Sequence, residues 1–352
     1  MSETWEMVAD LELEIDDYTL EGLELQWSPE LLRKTTVIRL RGGGAEGVGE
    51  DVVYDAVDHD KQQARGATLP LAGRYTLAEF SAHLATLELF PEPPEREVSQ
   101  LYRTWAFESA ALDLALRQAG TTLHERVGRP PRPVTFVSSL RLGEPPSLEP
   151  VLRRRAIAPQ LRFKLDATPS WDDELIAALV ELGAVDSVDM KGQYKGTIVD
   201  QPPDPELYRR VLAAFPDAWI EDPHTTPEID ALLAPHRDRV TWDAVIHSID
   251  DIEALPYAPR MVNLKPSRLG GVRPLFDAYD YCAQRRIGAY GGGQTELGPG
   301  RGQIQYLASL FHPDTPNDVA PSGYNNPDPP DDLPGSPLAP ATSATGFRWG
   351  EP

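Results

Sequence analysis

Basic residues are scarce in this chain. Of 352 residues, 33 are Lys or Arg against 55 Asp or Glu, a formal net charge of −22. Such a chain is repelled by phosphate unless it concentrates positive charge locally, and no basic stripe is present, which argues against nucleic-acid binding. Cysteine is nearly absent. Cys282 stands alone, excluding an internal disulfide framework and a cysteine zinc site. No apolar run approaches the roughly 18 residues of a membrane span. The first 17 residues are acidic rather than basic and apolar, so no secretory signal is expected and a cytoplasmic protein is the default. Lysine is the rarest cation: only Lys34, Lys61, Lys164, Lys191, Lys195 and Lys265. Arginine serves wherever a generic surface cation will do, so a lysine inside an apolar segment carries information. A partly buried lysine can lose its proton near neutral pH, whereas arginine does not.

What is present is globular: 41% apolar and 25% charged residues, with a length that suggests two domains. The first 130 residues read as α+β. Residues 36–41 alternate like a strand, Gly42 to Gly44 form a turn, and 51–54 continue as a second strand. Residues 77–89 and 97–118 are rich in helix formers. From Val134 the pattern changes to short apolar strands at 134–140, 161–165, 185–189, 218–221, 240–243, 261–265 and 288–291. Helical stretches at 171–183, 206–215, 227–233, 249–255, 272–285 and 302–311 alternate with them. Repeated βα units in one run predict a parallel sheet closed into a (β/α) barrel. The last 40 residues hold ten prolines and little periodicity. The expected division is a capping domain over 1–130, a modified barrel over 131–312, and a Pro-rich tail over 313–352 that can return to the first domain.

Five successive strands end in charge: Lys164, Asp189, Glu221, Asp243 and Lys265. The C-terminal ends of barrel strands surround one mouth. Three carboxylates converging there would not all stay ionised without a cation. Oxygen-only ligands suit Mg²⁺ or Mn²⁺ rather than zinc. Two lysines on opposite sides of such an ion are placed to take a proton from a weakly acidic carbon.

At this point the residues resemble the enolase superfamily, its muconate lactonizing enzyme branch, and most closely o-succinylbenzoate synthases and N-acylamino acid racemases. Arg162-Phe163-Lys164 before Trp171-Asp172 is similar to that branch's Lys-x-Lys strand and following turn. Asp189, Trp219-Ile220-Glu221-Asp222-Pro223 and Asp243 resemble the three metal-ligand strands. Asn263-Leu264-Lys265 before Leu269-Gly270-Gly271 resembles the second-lysine strand, and Gly292 to Arg301 the glycine-rich segment near the barrel's end. The resemblance spans about residues 30 to 320. It implies removal of a proton α to a carboxylate through an enediolate, with Mg²⁺ held by Asp189, Glu221 and Asp243, and Lys164 and Lys265 facing opposite sides of the α-carbon. It also implies substrate contacts from Arg162 and Glu296, a small carboxylate as substrate, and a homo-oligomer; Lys191, on the same face as Asp189, could replace one metal contact, salt-bridge a metal ligand or contact an anionic substrate.

The departures from the pattern lie near the site. Arg162 stands where the first lysine is usual. In an alternative register Lys164 is the first position and Asp166 the second, leaving no catalytic lysine on this strand; the spacing to Trp171 favours the first register. Met190 and Lys191 follow Asp189 in place of alanine and asparagine. Ala244-Val245 follow Asp243, and Gln294 replaces a methionine. These motivate a second reading, a metal-binding barrel without proton transfer that binds a small acid. A barrel hydrolase is disfavoured by the lack of a His-x-His pair. Specificity is expected from capping-domain loops within 15–35 and 55–75.

Overall fold

The computed structural model describes residues 3–28, 31–197 and 199–350. Positions 29 and 30 of the expected 15–35 loop, and the outermost ends of the expected first and last segments, lie outside them. The N-terminal part is built on an antiparallel sheet of β2 (Asp17–Ser28), β3 (Leu31–Gly42) and β4 (Ala45–Asp51), with β1 (Glu12–Ile15) paired to β5 (Gly73–Thr76) beside it. The Gly42–Gly44 turn joins β3 to β4, which begins at Ala45 rather than at 51. The expected specificity loops are regular structure: 17–28 and 31–42 pair as a long hairpin, and Ala56–Arg65 is a helix. A 20-residue helix, Ser99–Gln118, lies across β4. Glycines permit this close packing, because a Cβ on Gly47 would sit 2.2 Å from the Ala110 carbonyl and one on Gly49 2.0 Å from that of Ala106.

The barrel strands follow in order. β6 (Val137–Arg141), β7 (Arg162–Asp166), β8 (Val185–Asp189), β9 (Trp219–Glu221) and β10 (Val240–Thr241) form one parallel sheet, and β11 (Met261–Asn263) pairs in parallel with β12 (Gly288–Tyr290). The Asn263 amide donates to the Trp242 carbonyl and links the two groups. The ring closes through a segment outside the expected barrel boundary at 312. Asp318 bridges Gly292 on one side, and Asn317 bridges Phe136 on the other. Proline hid this last barrel position from the periodicity, because it suppresses the alternating apolar signal of a strand.

The rest of the tail is held down. Val134 and Leu338 exchange backbone hydrogen bonds, and Gly346 pairs with Thr122. Asp113, fully buried on the long helix, accepts from the amides of Phe347 and Val48 and pairs with Arg348 at 2.8 Å. Among the described residues no helix is long and apolar enough to cross a membrane.

Candidate active site

Inter-strand register sets the depth of each charged side chain. Lys164 lies opposite Ser187, and Asp166 lies opposite Asp189, which in turn faces Glu221 across β8 and β9. Arg162, at the start of β7, is therefore near the opposite end of the barrel. Its side chain is 45% exposed and paired with Asp186 at 2.5 Å. Arg162 thus lies apart from the charged residues that converge at the strand ends. Asp166 is level with Asp189 at the strand ends, and Lys164, one pleat deeper, reaches the same cluster. Glu296 also stands apart: its carboxylate accepts from the Gln294 amide at 2.6 Å and pairs with Arg301 at 2.9 Å.

The remaining sequence-derived residues converge. The Lys164 ammonium is hydrogen-bonded to Glu221 and lies 3.5 Å from both Asp189 and Asp318. Lys191 Nζ donates to Asp189 Oδ2 at 2.5 Å and is 3.3 Å from Asp166 Oδ1. Glu221 also accepts from the Tyr290 hydroxyl at 2.5 Å. Asp243 accepts from Lys265 Nζ and the Tyr194 hydroxyl, each at 2.9 Å, and from Arg268 at 2.7 Å. Asp222 accepts from the amides of Asp243 and Ala244, both at 2.8 Å, and so holds the start of the loop after β10. The capping domain approaches through Tyr102, beside Arg268 and Lys265. His224 is spent structurally, bonded to Tyr208 and the Gln201 carbonyl.

Asp318, Asp166, Asp222, Arg268, Tyr194 and Tyr290 belong to this cluster and were not singled out as site residues from sequence. The one available signal was arithmetical: seven strands were legible where a closed (β/α) barrel has eight, so an eighth strand-end residue was owed.

The electrostatics follow from crowding. Burial, then the charges of Asp189, Asp243 and Asp222, hold the Glu221 carboxyl well above the usual range despite Lys164. Burial, then Asp243 and Asp189, push Asp222 up to about 7. Burial opposes ionisation of Asp243 too, but Arg268 and then Lys265 outweigh it and hold that carboxyl low. Burial would lower the Lys164 ammonium, yet Glu221, Asp189 and Asp318 raise it well above the ordinary lysine value. Six carboxylates (Asp166, Asp189, Glu221, Asp222, Asp243, Asp318) thus face four cations (Lys164, Lys191, Lys265, Arg268). With every group ionised, the cluster is short by two positive charges, a gap that a divalent ion closes or that protons on Glu221 and Asp222 close in its place.

That deficit is the charge of one divalent ion, and the donors are all oxygen. Asp189, Glu221 and Asp222 each offer an oxygen, all within 4.8 Å of one another. The buried acids therefore fit Mg²⁺ or Mn²⁺. Within this geometry the third member of the close group is Asp222, while Asp243, expected from sequence, pairs with Lys265, Tyr194 and Arg268 beside it.

The family model described as "Domain of unknown function (DUF8230) C-terminal domain" matches residues 130–326, and its N-terminal counterpart matches residues 6–126. The chain belongs to this DUF8230 family. It is also similar to an o-succinylbenzoate synthase of Geobacillus stearothermophilus, 25% identical over 295 residues that cover 80% of this chain and 75% of that protein. An N-succinylamino acid racemase of Thermus thermophilus is 26% identical over 313 residues, 84% of this chain and 81% of that one. Among solved structures, an enolase-superfamily member from Listeria innocua superposes with a TM-score of 0.62 at 18% identity, covering 88% of this chain and 86% of that one. A muconate lactonizing enzyme from Pseudomonas putida gives 0.61 at 19% identity, covering 87% and 88%. The DUF8230 chain therefore has the enolase-superfamily fold, an α+β capping domain on a (β/α) barrel, and its named relatives are enzymes.

Proposed function

We propose that this chain is a Mg²⁺-assisted enolase-superfamily enzyme that removes a proton α to the carboxylate of a small acid, in an elimination, cycloisomerisation or racemisation. The observation that carries the reading is the buried cluster at the strand ends, in which Asp189, Glu221 and Asp222 each offer an oxygen within 4.8 Å of the others. Asp189 and Glu221 would hold the ion, with Asp243 or Asp222 as third ligand. When bound, the ion supplies positive charge that stabilises negative charge developing on the substrate carboxylate.

The protein's own groups divide the remaining work. Lys265 enters from β11's end and is hydrogen-bonded to one carboxylate, whereas Lys164 is within ion-pair reach of three. Lys265 is accordingly the group that takes the proton, and Lys164 contributes a fixed positive charge near the substrate carboxylate. Arg268 and Tyr194 hold Asp243, so the carboxylate beside Lys265 keeps one orientation. Tyr102 brings a hydroxyl from the capping domain beside Arg268. The names of its relatives suggest the acids to try first: N-succinylamino acids and precursors of o-succinylbenzoate.

The metal part is tested by calorimetry with MgCl₂ and MnCl₂. Wild type should bind one ion per chain, and Asp189→Asn should weaken binding at least tenfold with the fold retained by circular dichroism. Undiminished binding by the variant would remove Asp189 from the ligand set. The proton-transfer part is tested by incubating carboxylic acids with the protein in D₂O and following the α-proton by NMR. Binding without any exchange or turnover across the panel would favour the small-acid binder instead.

A further inference from the structure

Lys191 is the least expected cation of the cluster. It follows Asp189 by two residues on a turn whose geometry is imposed by its surroundings. Lys191 itself adopts a left-handed backbone, φ 51°. Gly192 then passes so close to the next loop that a Cβ would sit 2.3 Å from the His224 amide nitrogen. The Gly192 amide donates to the Asp222 carbonyl at 2.8 Å, and the Lys191 amide donates to Asp189 Oδ1 at 2.9 Å. The turn thus folds the lysine back on the carboxylate it follows. Its ammonium sits on Asp189 Oδ2 at 2.5 Å, on a candidate metal ligand.

A second resting place lies beside it. Asp166 Oδ1 is 3.3 Å from the same nitrogen, within ion-pair distance, and is shielded from solvent. The face of the Tyr194 ring, 4.7 Å from Nζ, lines the path on the other side. The ammonium thus sits between two acids, closer to the one that is a candidate metal ligand.

We infer that Lys191 is a tethered counter-ion of the metal site: its ammonium occupies Asp189 in the ion-free protein, and divalent metal displaces it to Asp166. This rests on the metal reading proposed above and goes beyond it by assigning the pair Lys191 and Asp166 a role in metal affinity. The tether makes ion binding a competition, because a divalent ion must expel a resident positive charge from one of its own ligands. Asp166 lowers the cost of expulsion by receiving the displaced ammonium.

Mg²⁺ and Mn²⁺ titrations of the full-length protein by calorimetry test this, with Mn²⁺ electron paramagnetic resonance as a second readout of bound ion. Lys191→Asn and Lys191→Met should each bind the ion at least tenfold more tightly than wild type, since a like charge a few ångströms from a divalent ion is removed. Asp166→Asn should bind it more weakly, since the displaced ammonium loses its acceptor. The double variant Lys191→Met/Asp166→Asn should recover the tight binding of Lys191→Met. Circular dichroism establishes that each variant is folded. Equal or weaker binding in both folded Lys191 variants overturns the counter-ion role while leaving the metal reading intact. Binding by the Lys191 variants but not by wild type overturns the displacement to Asp166 and the metal reading of the wild-type protein, since the resident ammonium then keeps the ion out. Binding by no protein in the series removes the metal reading and this inference together.

Discussion

Within the cluster, lysines of one residue type do three jobs, and their neighbours decide which. Lys164 is clasped by Glu221, Asp189 and Asp318; Lys191 rests on Asp189; Lys265 has Asp243 as its hydrogen-bond partner. The proton-transfer assignment therefore predicts unequal outcomes. Once a substrate is found by exchange, Lys265→Arg should lower turnover by about 100-fold or more, because the guanidinium keeps the charge but cannot accept the proton at working pH. Metal affinity measured on the same sample should change little. Arg162→Ala should leave both turnover and affinity within about twofold of wild type, since that guanidinium is bound to Asp186 away from the cluster. A collapse of activity in Arg162→Ala would mean that the register of β7 is not the one described.

At the scale of single elements, the capping domain depends on how closely the 99–118 helix approaches β4. The alternate residues Gly47 and Gly49 leave the helix backbone in contact with the strand, and Val48 between them is buried on the other face. Gly47→Ala introduces a Cβ against backbone atoms of Ala110 and Leu114, which cannot rotate away. The expected cost is about 3 kcal/mol, at the upper end for overpacking, and a urea titration reads it as a lower midpoint. Little or no shift would mean that helix and strand separate without penalty. The triple-glycine turn and the capping helix were readable from sequence because both are local signals. The second half of β3 was legible by its alternation, but β2 and the start of β3 were not, because their charged residues interrupt that pattern.

For the molecule as a whole, the decisive connection is the segment that closes the ring. Asn317 is locked there by His312: the imidazole Nδ1 lies 2.6 Å from Asn317 Oδ1, which also accepts the Gly291 amide, while the asparagine amide donates to three carbonyls. Burial depresses the His312 pKa from 6.5 to about 4. The folded protein therefore keeps this ring neutral where the unfolded chain would protonate it. Its contribution to stability is complete above pH 6.5 and declines as pH falls from about 6.5 to about 4, by roughly 3 kcal/mol in total. His312→Gln should flatten that part of the stability curve, measured by chemical denaturation of the metal-free protein at several pH values. An unchanged acid slope in the variant would place the titrating group elsewhere. The two domains are joined in the same region: Glu50 from β4 accepts the amides of Leu297, Gly298 and Gly300 at the start of the last barrel helix, and Arg33 donates to the carbonyls of Gln294 and Thr295.

The sequence by itself determined the fold class and which charged strand-end residues meet at one mouth. A parallel βα repeat carries the last residue of each strand to one mouth, so Lys164, Asp189, Glu221, Asp243 and Lys265 could be grouped before any coordinates. Their alternation along a strand also told which face they share. Depth along that face was beyond it. Residues 162, 164 and 166 all point the same way with a period of two, and only the pairing of β7 with β8 places Asp166, rather than Lys164, level with Asp189. Tertiary structure alone likewise brought Asp318 out of a proline-rich tail and set Lys191 on Asp189, while turning Glu296 toward Arg301. Each of those is a meeting of residues distant in sequence or folded back by a turn, and local pattern holds no record of which partner a charged side chain will find.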